Sequence, residues 1–363
     1  MGNQYPASLH ARTLITATTM TRRSVFVTGS NGYIGSAVCQ AFARAGWQVY
    51  GLVRRPEAAV ELASDEITPI MGEIGLSVVD SLAKYTKTID VVVGATEVLP
   101  GYAEHYEKVI AMVRALAKKS NENGVRPLVL WSSGCKDYGV TDVDGTPNLK
   151  PHTEESPVVP SLDFLAPRAN SSMRIFENKD LFDAAVLRPT NVYGRSSSHW
   201  GRWFELAAEI QQSGKTMELA IDPETIIHGL HVDDCGEAYL ALAEHPDRSQ
   251  VVGEFNISGH TYETTGSIWE ALEHEYGIEG KVKFVRPEDA KEQTPLSITV
   301  ILGYSQWVGS DKIRRLTGWT DKRMLFGENI SVYRRAHDAV AALKTGGVGR
   351  EGTASQFLND LKE

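Results

Sequence analysis

The sequence predicts an α/β protein in which a doubly wound parallel sheet is joined to a smaller, discontinuous C-terminal lobe. Two observations lead to this fold class. Short apolar runs, such as 25–27, 47–53 and 90–96, alternate with segments of helical periodicity in the first half of the chain. From Arg195 onward, longer loops and many aromatic residues replace that alternation.

The first apolar run leads into a turn with glycines at every third position. After a strand and before a helix, this spacing permits a tight turn, a close approach of the backbone to a pyrophosphate, and packing of the helix on its strand. The N-terminus of that helix offers free N–H groups to the phosphates. The turn therefore predicts a Rossmann-type dinucleotide site. The residues expected to contact the dinucleotide here are Gly29, Ser30, Asn31, Gly32, Tyr33, Ile34 and Gly35.

The second strand, 47–53, ends in Val53 followed by Arg54 and Arg55. An acid near this point holds the ribose 2′-hydroxyl of NAD, whereas an arginine suits the 2′-phosphate of NADP. Two guanidiniums can bind a dianionic phosphate with charge-assisted hydrogen bonds. The sequence therefore predicts NADP(H), the alternative being that both arginines are simply solvated.

Three further strands are expected in this half of the chain. Strand three ends near 70–74 and places Glu73 toward the adenine. Strand four, 90–96, is apolar in its middle, as in a strand buried on both faces, and ends in the small residues Ala95 and Thr96, which leave room for the cofactor. Strand five, 128–131, runs into Ser132-Ser133-Gly134 and is preceded by a helix over 106–119.

Composition excludes several function classes. The chain has 363 residues, a net charge of −9 and no basic stripe, which argues against nucleic-acid binding. The cysteines, Cys39, Cys135 and Cys235, are unclustered, so a reducing, cytoplasmic setting is expected and no metal site is predicted. No apolar run approaches the length of a membrane span. Residues 1–23 have the composition of a transit peptide, but a disordered extension is favoured.

Several motifs now point to one family. They are Thr28-Gly29-x-x-Gly32-x-x-Gly35, Ser132-Ser133-Gly134 with Tyr138-Gly139, Leu187-Arg188-Pro189-Thr190-Asn191-Val192-Tyr193-Gly194, His231-Val232-Asp233-Asp234, Phe255-Asn256-Ile257-Ser258, and Lys312 to Leu316 with Gly318-Trp319. From about Ser24 to about Asp321 the chain resembles the extended short-chain dehydrogenases/reductases, also called the NAD-dependent epimerase/dehydratase family. The resemblance implies further cofactor contacts from Ser132, Pro189, Asn191 and Val192.

The resemblance also implies a Ser or Thr after strand five that works with a Tyr-x-x-x-Lys pair. Ser133 matches the serine, but the pair does not occur in this chain. Phe164 and Arg168 occupy the places of the Tyr and the Lys. A phenyl ring donates no proton, and an arginine remains protonated, so Arg168 is expected to bind the nicotinamide ribose rather than act as an acid.

The proton donor is therefore open. Tyr138 is a candidate because it carries a phenol just beyond Ser133, although its counterparts in the family usually shape the substrate site. Lys136 and Asp137 on the same loop could lower the pKa of Tyr138 or relay a proton through water, or be solvated charges. The residues expected around the substrate are Tyr102, His105, Lys136, Phe164, His199, Trp200 and Trp203, the tryptophans being equally typical of a core.

The expected organisation is a cofactor domain over 24–194, to which 226–258 returns, a substrate lobe from 195–225 and 259–345, and a loose tail over 346–363. The leading function is an NADP(H)-dependent carbonyl reductase or alcohol dehydrogenase for a small to medium, partly apolar metabolite. The alternatives are a non-redox isomerase, epimerase or lyase, and a non-catalytic NADP(H) sensor. A homodimer is considered as the assembly.

Overall fold

The computed structural model describes residues 22–195, 199–286, 289 and 296–344. Its strands, in chain order, are β1 (Ser24–Val27), β2 (Gln48–Val53), β3 (Thr68–Met71), β4 (Val91–Gly94), β5 (Leu128–Ser132), β6 (Asp183–Pro189), β7 (Asn191–Tyr193), β8 (Met217–Leu219), β9 (Ile226–Ile227), β10 (Gly229–His231), β11 (Gly253–Ile257), β12 (Glu263–Thr264) and β13 (Val282–Phe284). Seven of them form a parallel sheet in the order β11-β6-β5-β4-β1-β2-β3. The order runs outward in both directions from β1 and β4, so the predicted doubly wound sheet is confirmed.

Some of the helices cover the two faces of this sheet, and others belong to the C-terminal lobe. The helices are α1 (Tyr33–Arg44), α2 (Pro56–Ser64), α3 (Ser77–Leu82), α4 (Tyr102–Glu122), α5 (Ala166–Met173), α6 (Gly201–Ser213), α7 (Val232–Glu244), α8 (Thr265–Tyr276), α9 (Leu296–Leu302), α10 (Asp311–Thr317) and α11 (Ile330–Lys344). None of the helices in the described part of the chain is long and apolar enough to cross a membrane.

Alternating residues of each strand face opposite apolar cores. Val25 and Val27 pack against α1, α2 and α7, whereas Phe26 packs against α3 and α4 on the other face. All three side chains are completely buried. A strand that is covered on both faces therefore has a continuous apolar sequence, and this pattern predicted the strand.

A third apolar core belongs to the C-terminal lobe. It gathers Trp203, Trp269 and Phe326 with side chains from α6, α8 and α11. The short ladders β9–β12 and β8–β13 complete this lobe. Its segments are separated in the sequence because β10, which pairs with β7, α7, which packs in the core of the main sheet, and β11, which joins that sheet, lie between them.

The domain and element limits differ from the expected ones in detail. Residues Ile226–Ile227 pair with β12 in the lobe, although 226–258 was expected to return to the cofactor domain. Conversely, Ile313 and Trp319 pack in the core of the main sheet rather than in the lobe. The helix expected over 106–119 is longer, at Tyr102–Glu122. The expectations for residues 1–21 and for the tail 346–363 lie outside the described residues.

Candidate active site

The glycine-rich turn after β1 has the shape that a pyrophosphate requires. Gly29 has φ +62°, and a Cβ at this position would lie 2.5 Å from the carbonyl oxygen of Ala95. A Cβ at Gly35 would lie 2.2 Å from the carbonyl oxygen of Gly29. Helix α1 begins behind Gly32, which provides no side-chain cap for its first N–H groups. The turn is therefore a glycine cradle at an uncapped helix N-terminus, which fits a dinucleotide phosphate.

Two side chains of this turn have structural roles. The Ser30 hydroxyl donates a 2.8 Å hydrogen bond to the carbonyl oxygen of Leu52 in β2. The Tyr33 hydroxyl donates a 2.5 Å bond to the carbonyl oxygen of Gly194. Their predicted contacts with the dinucleotide would consequently come from the backbone. Such contacts stay predictions, as do those of Asn31 and Ile34.

The remaining predicted cofactor residues lie along one edge of the sheet, at the carboxyl ends of β2 to β6. Arg54 and Arg55 follow β2, and both are exposed. Neither guanidinium has a hydrogen bond or ion pair with any of the described residues. The others along this edge are Glu73, Ala95, Thr96, Ser132, Pro189, Asn191 and Val192. This is the edge at which open α/β sheets bind ligands.

Ser133 lies in a network of charged side chains. Its hydroxyl donates a 2.5 Å hydrogen bond to Oδ2 of Asp137. The Arg168 guanidinium donates to Oδ1 of Asp137 through Nη2 at 2.7 Å and to Glu97 through Nη1 at 2.9 Å. The fully buried Arg188 guanidinium also donates to Asp137, through Nε at 3.3 Å. Asp137 thus links the serine to two arginines.

The surroundings of Arg168 confirm that it cannot supply a proton. Burial lowers the pKa of its guanidinium, but the carboxylates of Asp137 and Glu97 outweigh that effect and raise the pKa above the usual value. A Cβ at Gly134 would lie 3.1 Å from Nη2, so the absence of a side chain there allows the guanidinium to lie against the loop. Arg168 is a fixed positive charge beside Ser133.

The structure contradicts the assignment of Tyr138 as an acid. Its hydroxyl donates a 2.9 Å hydrogen bond to Asn256 and accepts one of 3.3 Å from Arg188. The ring is stacked on His152, and the side chain is 4 % exposed. Burial raises the pKa of the phenol, which makes it a weaker acid than an ordinary tyrosine. Tyr138 is a buried structural residue.

Lys136 has unusual surroundings for a lysine. Its Nζ is buried and has no hydrogen-bond partner within the described parts of the chain. The ammonium group lies 4.0 Å from the centre of the Tyr304 ring. Burial, together with the nearby positive charge of Arg168, lowers the pKa of this amine to about 7.

Three other predicted pocket residues are core residues instead. Trp200 and Trp203 are 2 % and 0 % exposed and belong to the aromatic core of the lobe. Tyr102 is 1 % exposed, and its hydroxyl accepts a 3.1 Å hydrogen bond from the Trp131 indole. These aromatic side chains, which were expected to line a substrate pocket, pack in the protein core instead.

The histidines and Phe164 are placed differently. His105 bonds to Thr96 at 2.9 Å, beside the end of β4. His199 is half-buried, and burial lowers the pKa of its imidazole. The charges of Glu97 and Lys136 act on the His199 imidazole in opposite directions. Phe164 is half-buried in the short turn before α5.

Sequence reasoning missed that two carboxylates, Asp137 and Glu97, bind Arg168. Asp137 was expected to act on Tyr138, to relay a proton through water or to be a solvated loop charge, and not to bind Ser133 and the arginines. The available signal was its position four residues after Ser133, in a short turn where the two side chains can meet. Glu97 could not be paired with Arg168, because 71 residues separate them in the sequence.

Comparisons with known proteins agree with this architecture. The model of the "NAD dependent epimerase/dehydratase family" matches residues 25–258. A dTDP-glucose 4,6-dehydratase from Bacillus anthracis, solved in complex with NAD, is 17 % identical, with a TM-score of 0.65 over 87 % of this chain and 97 % of that chain. A UDP-glucose 4-epimerase from Thermotoga maritima is 19 % identical, with a TM-score of 0.65 over 88 % of this chain and 99 % of that chain.

A short-chain dehydrogenase/reductase superfamily protein from Agrobacterium tumefaciens, with bound NAD, is 16 % identical, with a TM-score of 0.62 over 89 % of this chain and 100 % of that chain. At these identities the solved structures share the fold. The search of curated proteins found no significant match. The family model covers well over half of the sequence, and with it the chain belongs to the NAD-dependent epimerase/dehydratase family.

Proposed function

We propose that this protein is an NADP(H)-dependent oxidoreductase that reduces a carbonyl group, or oxidises the matching alcohol, on a small to medium, partly apolar metabolite. The observation that carries the cofactor choice is the pair of exposed guanidiniums at the end of β2, Arg54 and Arg55, which have no partner among the described residues. Val53 stands where NAD-selective enzymes of this fold place an acid. A 2′-phosphate would supply the missing counter-charge.

The choice of NADP(H) departs from solved neighbours whose structures were determined with NAD. Selection between the two dinucleotides depends on a few side chains beside the adenosine ribose, whereas the fold and the glycine cradle serve both. The similarity in fold therefore leaves room for a different cofactor.

The residues of the site would divide the work as follows. The cradle from Gly29 to Gly35 would hold the pyrophosphate, and Arg168 would offer its remaining N–H groups to the nicotinamide ribose. When bound in its reduced form, the dinucleotide supplies a hydride. Ser133 would hold the substrate oxygen.

A non-redox isomerase, epimerase or lyase is the second candidate. The loss of the Tyr-x-x-x-Lys pair favours it, because Phe164 cannot exchange a proton with a substrate alcohol. It differs from the first candidate in its use of the coenzyme, because substrate would be converted without net consumption of NADP(H). A non-catalytic NADP(H) sensor would convert no substrate.

The test has two stages. The dissociation constants of NADPH and NADH are measured by fluorescence titration, and we expect NADPH to bind at least tenfold more tightly. A panel of aldehydes and ketones of increasing apolar size is then incubated with the protein and NADPH, and coenzyme oxidation is followed by absorbance. Equal affinity for both coenzymes overturns the cofactor choice. Substrate conversion without coenzyme oxidation favours the second candidate, and the absence of any conversion favours the sensor.

A further inference from the structure

The loop after β5 carries an amine with no evident structural purpose. Lys136 lies between Ser133 and Asp137 in sequence, in the short turn Cys135–Tyr138. Its Nζ is inaccessible to solvent and unbonded within the described residues. Placing an ammonium group out of water without a hydrogen-bond partner costs free energy, and most buried charges are paired. An unpaired amine at the site therefore points to a missing partner.

The backbone of this loop is held in place by the segment that follows α9. The Gln306 amide donates to the carbonyl oxygens of Cys135 and Gly139, at 2.6 and 2.8 Å. The Tyr304 hydroxyl makes a 3.4 Å contact with the carbonyl oxygen of Lys136 itself. The backbone that carries Lys136 is consequently held in place by this one segment.

Several charged or titratable side chains act on the Lys136 amine or lie close to it. Arg168 of α5 disfavours the ammonium form, while the Cys135 thiol acts weakly in the opposite direction. The Tyr304 ring presents its face to the ammonium group. His199, just before α6, is acted on by Lys136 and by Glu97.

Three other groups near Ser133 are unsuitable as proton donors or already donate a hydrogen bond within the protein. The Tyr138 hydroxyl donates a hydrogen bond to Asn256 within the core. Arg168 remains charged. The Cys135 thiol donates to the carbonyl oxygen of Arg188, and burial raises the pKa of this thiol well above its usual value. Among these groups Lys136 alone has N–H bonds without an acceptor in the described structure.

We propose that Lys136 is the catalytic acid of this site and delivers the proton to the substrate oxygen in place of the missing tyrosine. The assignment rests on the proposed reductase function. In the reduction, the carbonyl carbon takes up the hydride and is reduced while the coenzyme is oxidised. The N–H bond of Lys136 breaks as the new O–H bond forms, and the neutral amine takes up a proton from water that enters the site after the product has left.

The amine is suited to this role because its pKa of about 7 lies near the usual working pH. An acid–base group is most effective when its pKa is close to the pH of the reaction. Below that pKa the ammonium form predominates and can donate, and above it the donor form is lost. We therefore expect kcat/KM for carbonyl reduction to fall as the pH rises through about 7.

The first experiment compares Lys136→Met, Lys136→Arg and the exposed control Lys118→Met. We expect Lys136→Met to lower kcat/KM by about 10²–10⁴-fold, the usual contribution of a general acid. Lys136→Arg keeps the charge but should restore little, because a guanidinium does not release its proton near neutrality. The dissociation constant for NADPH should change less than twofold in all three variants, which also shows that they are folded.

The second experiment needs no turnover. The protein is labelled with ¹³C at the lysine Cε, and the Lys136 signal is identified by its loss in Lys136→Met. We expect this signal to titrate near pH 7, well below the value of about 10 that is usual for a lysine side chain. Titration of Lys136 near pH 10 would overturn the proposal.

The outcomes separate the two proposals. If the wild type oxidises NADPH with a carbonyl substrate and Lys136→Met does so equally well, the role of Lys136 is wrong and the reductase function stands. If the wild type oxidises no NADPH with any carbonyl compound, the reductase function fails, and the role of Lys136 as the acid of that reduction fails with it.

Discussion

The Ser133 hydroxyl donates its proton to Asp137 at 2.5 Å, and Asp137 is in turn bound by Arg168 and Arg188. A hydroxyl has one proton to donate and lone pairs with which to accept. Ser133 can therefore donate a hydrogen bond to a substrate oxygen only if its hydrogen bond to Asp137 is broken. While it is bonded to Asp137, it can still accept a hydrogen bond from a substrate alcohol.

Replacing Ser133 by Ala should lower kcat for carbonyl reduction by about 10–10²-fold, because the substrate oxygen loses a hydrogen-bonding partner in the transition state. Ser133→Thr keeps the hydroxyl and should retain most of the activity. Steady-state kcat and KM of both variants provide the measurement. An unchanged kcat in Ser133→Ala would remove the serine from the mechanism.

Asp137→Asn should destabilise the fold. The carboxylate is completely buried and holds Ser133, Arg168 and Arg188, so its loss leaves two guanidiniums with less counter-charge. Removing one partner of a buried ion pair costs about 3–5 kcal/mol in the free energy of unfolding. Urea unfolding of the two proteins measures this cost.

The matched control for that prediction is Asp180→Asn. Asp180 pairs with Arg114 at 3.2 Å, but its side chain is 59 % exposed. Exposed ion pairs are screened by water and contribute little. Asp180→Asn should therefore leave the urea midpoint unchanged. Equal effects of the two substitutions would argue against a special role for the Asp137 network.

Arg54→Ala and Arg55→Ala should weaken NADPH binding without affecting NADH. Each arginine can make a charge-assisted hydrogen bond to the 2′-phosphate, a bond usually worth about 1.5–3 kcal/mol. The dissociation constant for NADPH should consequently rise roughly tenfold or more per substitution. Arg315→Ala, which removes an arginine side chain that is 76 % exposed, serves as the control. A parallel loss of NADH affinity would show that the arginines do not distinguish the two coenzymes.

Gly35→Ala should disturb the turn after β1. The new methyl group would lie 2.2 Å from the carbonyl oxygen of Gly29, so the backbone of the turn or of α1 must move. Overpacking of this kind typically costs about 1–3 kcal/mol. At Gly72 the nearest atom to a new Cβ is a Val78 methyl at 3.5 Å, so Gly72→Ala should be tolerated. Thermal unfolding of both variants tests the contrast.

Glu263 makes stability depend on pH. Its carboxylate accepts hydrogen bonds from the backbone N–H groups of Phe326 and Gly327, yet burial raises the pKa to about 7. In the unfolded chain the pKa of a glutamate is about 4.3. The folded state therefore binds the proton more tightly, and the stability that this gives is complete below about pH 4 and is lost as the pH rises through about 7.

Compared with Glu263→Gln, the wild type should lose up to about 3 kcal/mol of unfolding free energy between pH 4.5 and pH 8, the amount that corresponds to the shift of the pKa from 4.5 to about 7. Urea unfolding at intermediate pH values measures the difference. Parallel pH profiles for the two proteins would show that Glu263 titrates as an ordinary surface acid.

Local sequence was sufficient for the sheet and for the cofactor cradle. The strand, turn and helix around Gly29 and Gly35 are contiguous, so spacing and residue type define their geometry. The exposed position of Arg54 and Arg55 follows in the same way from the end of β2. Helix limits were less well predicted, because the first turn of α4 is stabilised by packing of Tyr102 in the core.

The site itself could be predicted only in part. The sequence placed Ser133 and Arg168 and showed that the Tyr-x-x-x-Lys pair is missing. It also offered Tyr138 as one candidate acid, which the structure contradicts because the phenol is buried and donates its hydrogen bond to Asn256, 118 residues away. Tryptophans such as Trp203 were equally compatible with a pocket and with a core, and only burial distinguishes the two.

By itself, the sequence determined the fold class, the family resemblance and the elements of a dinucleotide site, since each depends on neighbouring residues with a fixed spacing. The tertiary structure decided which polar groups are engaged in hydrogen bonds and ion pairs within the protein. Asp137 holds Ser133 and two arginines, and Lys136 lies against Tyr304, which is 168 residues away in the chain. The contacts with the arginines and with Tyr304 join residues that are far apart in the sequence, so no local sequence pattern predicts them.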